Sequence, residues 1–167
     1  MAIDRMTIRG ARREDAQAIT AIYNEYVLHG IATFQEQPMS PEETALRLDE
    51  TASASLPWLV AEESDRLVGY AHASKWKGRC AYRYTVESSV YLHPSATGRG
   101  LGSKLYEALI AELRERKLHS VIGGVALPND ASVRLHEKFG FRKIGHFEQV
   151  GYKFDRWIDV GYWQLNL

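Results

Sequence analysis

The stretch Val90-Tyr91-Leu92-His93-Pro94-Ser95-Ala96-Thr97-Gly98-Arg99-Gly100-Leu101-Gly102-Ser103 constrains this chain more than any other. It reads as a strand that passes through alternating glycines straight into a helix. The helix is legible because Leu101, Leu105, Leu109 and Leu113 follow at four-residue spacing, with Lys104, Glu112 and Arg114 off that stripe. A turn of this kind aims backbone N–H groups and the positive end of a helix dipole at one point, the arrangement that holds an anion. Glycine lets an anion approach the backbone, and Arg99 adds a charged donor, so a pyrophosphate is a fitting guest. Taken alone, the turn is equally compatible with a plain connection. A nucleotide P-loop drops out for want of its Lys-Ser/Thr ending, and an opening dinucleotide unit drops out because several strands come first.

Residues 7–10 predict a first strand, and Ile19, Ile22, Tyr23 and Tyr26 one face of a helix. After a loop over residues 30–39, Ser40, Pro41 and Glu43 supply the cap, first-turn proline and capping-box glutamate of a second helix. Residues 58–61 and 67–73 flank the polar turn 63–66 as a hairpin, and residues 84–92 follow as a strand. Beyond the leucine-striped helix come a strand over 120–126, a helix carrying Leu135 and Phe139 that ends at Gly140, a strand over 141–145, and an alternating segment from 157 to 167. No linker or repeat interrupts the series. The expectation is a single α/β domain over residues 1–167 with a mixed sheet.

Composition narrows the partners. Lys plus Arg equals Asp plus Glu at 21 each, so no overall field draws the chain to nucleic acid or an anionic membrane surface, and any anion must be held locally. Hydrophobic residues at 45% and charged residues at 25% are ordinary for a globular chain with a packed core. The single cysteine, Cys80, has no partner for an internal disulfide and no Cys or His cluster near it, which points to a reducing cytoplasm. The opening residues 1–6 lack the apolar core of a signal peptide, and no apolar run reaches the length of a membrane span.

Thr97-Gly98-Arg99-Gly100-Leu101-Gly102 resembles the acetyl-CoA pyrophosphate loop of the GNAT superfamily, Gln/Arg-x-x-Gly-x-Gly/Ala between a strand and a helix. Thr97 stands where the family has Gln or Arg; the backbone cradle is retained. The segment from Leu127-Pro128-Asn129 to Phe139-Gly140-Phe141 resembles the superfamily's second cofactor segment, in which Asn129 would reach the pantetheine arm, although Asn129 equally suits the cap of the helix that follows. The resemblance implies the GNAT fold, a central, mixed, mostly antiparallel twisted sheet flanked by helices. It also implies acetyl-CoA as co-substrate without a metal, held by Val90, Tyr91, Leu92, Gly98, Arg99, Gly100, Leu101, Gly102, Ser103 and Asn129.

Almost the whole chain, from Tyr23-Asn24 to Val160-Gly161-Tyr162-Trp163-Gln164-Leu165, is similar to the phosphinothricin N-acetyltransferases and their relatives acting on methionine sulfone and methionine sulfoximine. Trp76-Lys77-Gly78-Arg79-Cys80-Ala81-Tyr82, followed by Thr85-Val86-Glu87-Ser88-Ser89-Val90-Tyr91, resembles that subgroup's acceptor-binding and catalytic segment. The implied acceptor is a small amino acid with a charged tetrahedral side-chain end. Lys77 and Arg79 are suitable donors for its oxygens, with Gly78, Tyr82, Ser88 and Ser89 beside them, though two such cations also suit a solvated loop. Glu87 lies in an otherwise uncharged strand and is the candidate general base for the acceptor's ammonium group; a solvated strand face is the other reading. His136 falls where many GNAT enzymes carry the tyrosine that protonates the leaving thiolate, and a helical histidine also serves in packing. Phe34 resembles the subgroup's aromatic wall over the acceptor and fits local core as well. A homodimer is implied too, with the aromatics of residues 152–163 at its interface or in ordinary core. The rival readings are a GNAT enzyme with another amine acceptor (another amino acid, a polyamine or a protein N-terminus) and a non-catalytic acyl-CoA-binding module.

Overall fold

The computed structural model describes residues 6–167; residues 1–5, part of the opening read above as no signal peptide, lie outside them. Among the described residues seven strands form one sheet in the order β1-β2-β3-β4-β5-β7-β6. β1 (Met6–Gly10), β2 (Trp58–Glu63), β3 (Arg66–Lys75) and β4 (Thr85–Leu92) are antiparallel neighbours. β5 (Ser120–Ala126), β7 (Arg156–Asn166) and β6 (Arg142–Lys153) form a second antiparallel set. The two sets meet at β4 and β5, which pair in parallel only from Thr85 with Ser120 to Glu87 with Ile122. The sheet is therefore mixed and mostly antiparallel, the class expected from the sequence.

Strand alternation decides which helix each face meets. Val60 and Tyr70 turn towards α1 (Ala16–His29) and α2 (Pro41–Ser53), where Ile19, Ile22 and Leu48 complete one cluster. Ala61, Ala71, Ala73, Val86, Val121 and Val125 turn the other way, onto α3 (Leu101–Glu115). The leucine stripe of α3 is sunk in that face, with Leu105, Leu109 and Leu113 at 0% exposure. Each such leucine contributes about 2 kcal/mol by burial. The start of α2 is set as the sequence predicts: Ser40 Oγ accepts from the Glu43 N–H, and Glu43 accepts from the Ser40 N–H. α4 (Asp130–Lys138) lies against β5.

One element differs from its prediction. The strand expected over residues 141–145 runs on as β6 to Lys153 and forms a long hairpin with β7. Its connecting residues, Phe154 and Asp155, both have positive φ, 52° and 56°, the conformation of a tight two-residue turn that sequences usually mark with Asn or Gly. Gln149 at φ 51° adds a register shift between Phe147 and Gly151. Most of β6 is exposed, so it carries no apolar alternation either. Among the aromatics of this region Trp163 is core at 2% exposure, whereas Tyr152 and Trp157 stand out at 49% and 62%.

Candidate active site

Beyond Glu87 and Ile122 the pairing of β4 with β5 stops, and the two strands part. Ser88 to Leu92 line one wall of the resulting cleft and Gly124 to Ala126 the other; its volume is about 480 Å³. The wall of β4 carries free donors. Its ladder with β3 bonds His93 N–H to Val68 O and Trp76 N–H to Thr85 O, so odd-numbered residues of β4 face β3. The N–H groups of Val90 and Leu92 consequently point to the β5 side, where no strand among the described residues pairs with them. The Leu92 carbonyl is taken by the Tyr26 hydroxyl at 2.6 Å.

The cleft opens onto the glycine loop. Gly98 and Gly100 have φ of 74° and 77°, and Gly100 is the N-cap of α3. A Cβ at either would meet nothing within 4 Å, so these glycines serve the left-handed turn rather than clearance. Thr97, Gly98, Gly100, Leu101, Gly102 and Ser103 all line the cleft, but Arg99 does not. Two Arg99 guanidinium nitrogens instead donate to Glu63 at 2.9 Å, so here the side chain points to β2 rather than into the cleft. The cations at this mouth are Arg134 and Lys138, which line the cleft from α4, with Lys138 Nζ donating to Ser103 Oγ at 3.0 Å. Sequence reasoning missed both, although their four-residue spacing puts them on one helical face.

α4 contributes two further residues. Asn129 caps α4, its Oδ1 accepting from the Ser132 N–H at 3.1 Å, and the residue also lines the cleft. His136 also lines the cleft, 7% exposed, and its Nδ1 lies 2.7 Å from the Ser132 carbonyl. A carbonyl only accepts, so Nδ1 carries the proton and Nε2 of the neutral ring carries a lone pair. Burial lowers the His136 pKa from 6.5, which favours that neutral form. An acid role for His136 has to start from the minor imidazolium. The hydroxyls of Tyr106 on α3 and Ser88 on β4 are bonded to each other at the cleft wall.

Glu87, Ser89 and Tyr91 project from the opposite face of β4. The Glu87 carboxylate is half-buried and hydrogen-bonds to none of the described residues. Burial raises its pKa above the ordinary 4.5, and the nearby Lys77 charge opposes that shift. Glu87 Oε1 and Tyr162 Cε1 lie 3.5 Å and 3.2 Å from where a Cβ on Gly124 would sit, so carboxylate and phenol ring share one spot over β5. Tyr162, not among the predicted residues, is flanked edge-on by Trp76 and Phe147 at 6.0 Å and 5.6 Å. Lys77, its Nζ 5.2 Å from the Trp76 ring, belongs to this group. Gly78, Arg79 and Tyr82 lie on the exposed β3-β4 connection, and no hydrogen bond or ion pair of the described residues joins them to Glu87. Phe34 is 39% exposed and rests on Gly151 of β6.

A parted pair of strands thus meets a glycine turn that caps a helix, with a carboxylate near the point of parting. A family model described as the acetyltransferase (GNAT) domain matches residues 8–161. The chain belongs to the GNAT acetyltransferase family. Among GNAT relatives, an L-methionine sulfoximine/L-methionine sulfone acetyltransferase of Salmonella typhimurium is 41% identical over 97% of this chain and 95% of its own. A phosphinothricin N-acetyltransferase of Streptomyces coelicolor is 39% identical over 96% and 95%. The structure of a Salmonella typhimurium acetyltransferase with its cofactor acetyl-CoA superposes with a TM-score of 0.95 at 41% identity, covering 97% of this chain and 94% of that one.

Proposed function

We propose that this GNAT protein transfers the acetyl group of acetyl-CoA to the α-amino group of a small amino acid of the methionine sulfone, methionine sulfoximine or phosphinothricin type. Glu87 carries the proposal. It is a half-buried carboxylate with a raised pKa, unbonded within the described residues, and it stands where β4 leaves β5. The names of the relatives support the acceptor class.

The donor set fits acetyl-CoA. The glycine turn at the start of α3, with Arg134 and Lys138, suits phosphates. The strand-edge N–H groups of Val90 and Leu92 suit an amide-bearing arm and a thioester oxygen. Acetyl-CoA supplies an activated acyl carbon. Glu87 takes a proton from the acceptor's ammonium group, directly or through one water, which frees the nitrogen for attack within the ternary complex. Lys77 and Arg79 hold the acceptor's oxygens, Ser89 lines its approach beside Glu87, and Phe34 covers its aliphatic part; Ser88, its hydroxyl bonded to Tyr106 on the α3 side, does not face the acceptor. His136 protonates the departing thiolate from its imidazolium form, which burial makes scarce at neutral pH and a strong donor once formed.

The protein acts in the cytoplasm as a homodimer in this reading. Its single cysteine, Cys80, supports the compartment, and the exposed Ile144, Phe147, Val150, Tyr152, Phe154 and Trp157 of the β6-β7 hairpin support the association. The direct test mixes purified protein, acetyl-CoA and each of the three amino acids and follows free thiol. Release with at least one is expected. Release only with polyamines or peptide N-termini overturns the acceptor, and none with any amine leaves an acyl-CoA-binding module.

A further inference from the structure

Lys153, the last residue of β6, is 2% exposed. Its ammonium donates to three backbone carbonyls, those of Tyr26 at 3.2 Å, Gly30 at 2.8 Å and Thr33 at 2.9 Å. A lysine has three protons to give, and all three are used. Tyr26 and Gly30 lie at the C-terminal end of α1, where the helix dipole favours a cation; the Tyr26 carbonyl also accepts the last helical bond, from the Gly30 N–H at 3.2 Å, and Gly30 is the C-cap. Thr33 lies beyond, in the loop that carries Phe34. One buried charge thus ties the end of α1 and this loop to the β6-β7 hairpin. Burying an ammonium is costly unless every proton is satisfied, so the geometry is demanding.

Two residues earlier the same strand provides a seat. A Cβ on Gly151 would fall 2.3 Å from Cε1 and Cζ of Phe34, so the ring occupies the space that glycine leaves open. The loop is held from its other side as well. The Tyr23 hydroxyl is bonded to Thr33 Oγ1 at 2.7 Å, and the Tyr91 hydroxyl donates to the Ala32 carbonyl at 3.3 Å. Ala32 lines the cleft, and Tyr91 shares its strand face with Glu87. The hairpin reaches Glu87 too, because Tyr162 of β7 meets it over Gly124.

We infer that Lys153 and Gly151 form a clasp that positions the Phe34 loop as the acceptor-side wall of the active site. Lys153 is a positioning residue for acceptor selection, acting through Phe34. This rests on the acceptor reading above only for its kinetic consequence; the clasp itself is a statement about the loop.

Two measurements test it. In amide hydrogen exchange, Lys153→Met should speed exchange over residues 30–36 and leave α3 and the glycine loop at wild-type rates; unchanged exchange in the loop overturns the clasp whatever the acceptor. In kinetics with the best acceptor found for the wild type, Lys153→Met and Gly151→Ala should each raise the acceptor KM by about tenfold with the acetyl-CoA KM unchanged. Adding Phe34→Ala to either should give little further loss, since the clasp works through that ring. Additive losses, or an acetyl-CoA KM that rises in step, mean a general structural role and overturn the proposal. Should Lys153→Met fail to fold by circular dichroism, Gly151→Ala gives both readouts. A wild type inactive towards all three amino acids counts against the acceptor reading, and the exchange result still decides the clasp.

Discussion

At the scale of single residues the site is a set of protonation states fixed by burial. Glu87 must be ionised to act as a base, and its pKa lies above the ordinary 4.5 because the carboxylate is partly withdrawn from water. For the wild type kcat/KM should therefore rise with pH through a midpoint above 4.5, and Glu87→Gln should lose about two to four orders of magnitude together with that limb. An unchanged rate and profile would remove Glu87 from the chemistry. His136 shifts the other way, down from 6.5, and its Nε2 has no proton in the neutral ring. If its imidazolium is the acid, His136→Phe should lower kcat for the chemical step more than the KM of either substrate. A KM effect alone would make it a packing residue beside Tyr106 and Phe141, whose rings lie 5.4 Å and 5.1 Å away.

At the scale of elements, charge placement separates the cations that face the cleft from one that merely lies near it. Arg99 sits in the glycine loop yet is committed to Glu63, whereas Arg134 and Lys138 face the cleft from α4. Arg134→Ala with Lys138→Ala should raise the acetyl-CoA KM by about tenfold or more and leave the acceptor KM unchanged. Arg99→Ala should do much less, a contrast read in one set of saturation curves. The same comparison explains what the sequence could disclose. The leucine stripe of α3, the capping box of α2 and the β2-β3 hairpin were legible because local periodicity and capping chemistry decide them. So was the glycine turn between a strand and a helix. The direction of Arg99 was not, since Glu63 lies 36 residues away in sequence and only the sheet brings the two together. The second half of β6 was hidden because Phe154 and Asp155 make a turn that normally calls for Asn or Gly. Tyr162 and Lys153 were hidden for a related reason, as each acts across a contact between elements distant in the chain.

At the scale of the whole molecule, buried titratable groups on the α1-α2 side of the sheet tie stability to pH, and their signs differ. His72 stacks on Trp58 with ring centroids 4.1 Å apart, and neither His72 Nδ1 nor Trp58 Nε1 finds a partner among the described residues. Desolvation lowers the His72 pKa from 6.5 to about 4. Between those values the unfolded chain binds a proton that the folded chain refuses, so this contribution is fully present above pH 6.5 and is lost as pH falls towards 4. The loss amounts to about 3 kcal/mol. Glu87 works in the opposite sense: its raised pKa means that the folded chain takes up a proton first, which adds stability as pH falls towards 4.5. Asp15 and Glu62, both held low by Arg9, add a further loss only below their ordinary values of 3.8 and 4.5. Thermal unfolding followed from pH 7 to 4 should therefore show a decline in Tm that His72→Gln flattens and Glu87→Gln steepens. An acid decline that survives His72→Gln undiminished would mean that the ring is already protonated in the folded protein. The unpartnered nitrogens beside Trp58 would then need another explanation than a neutral, desolvated imidazole.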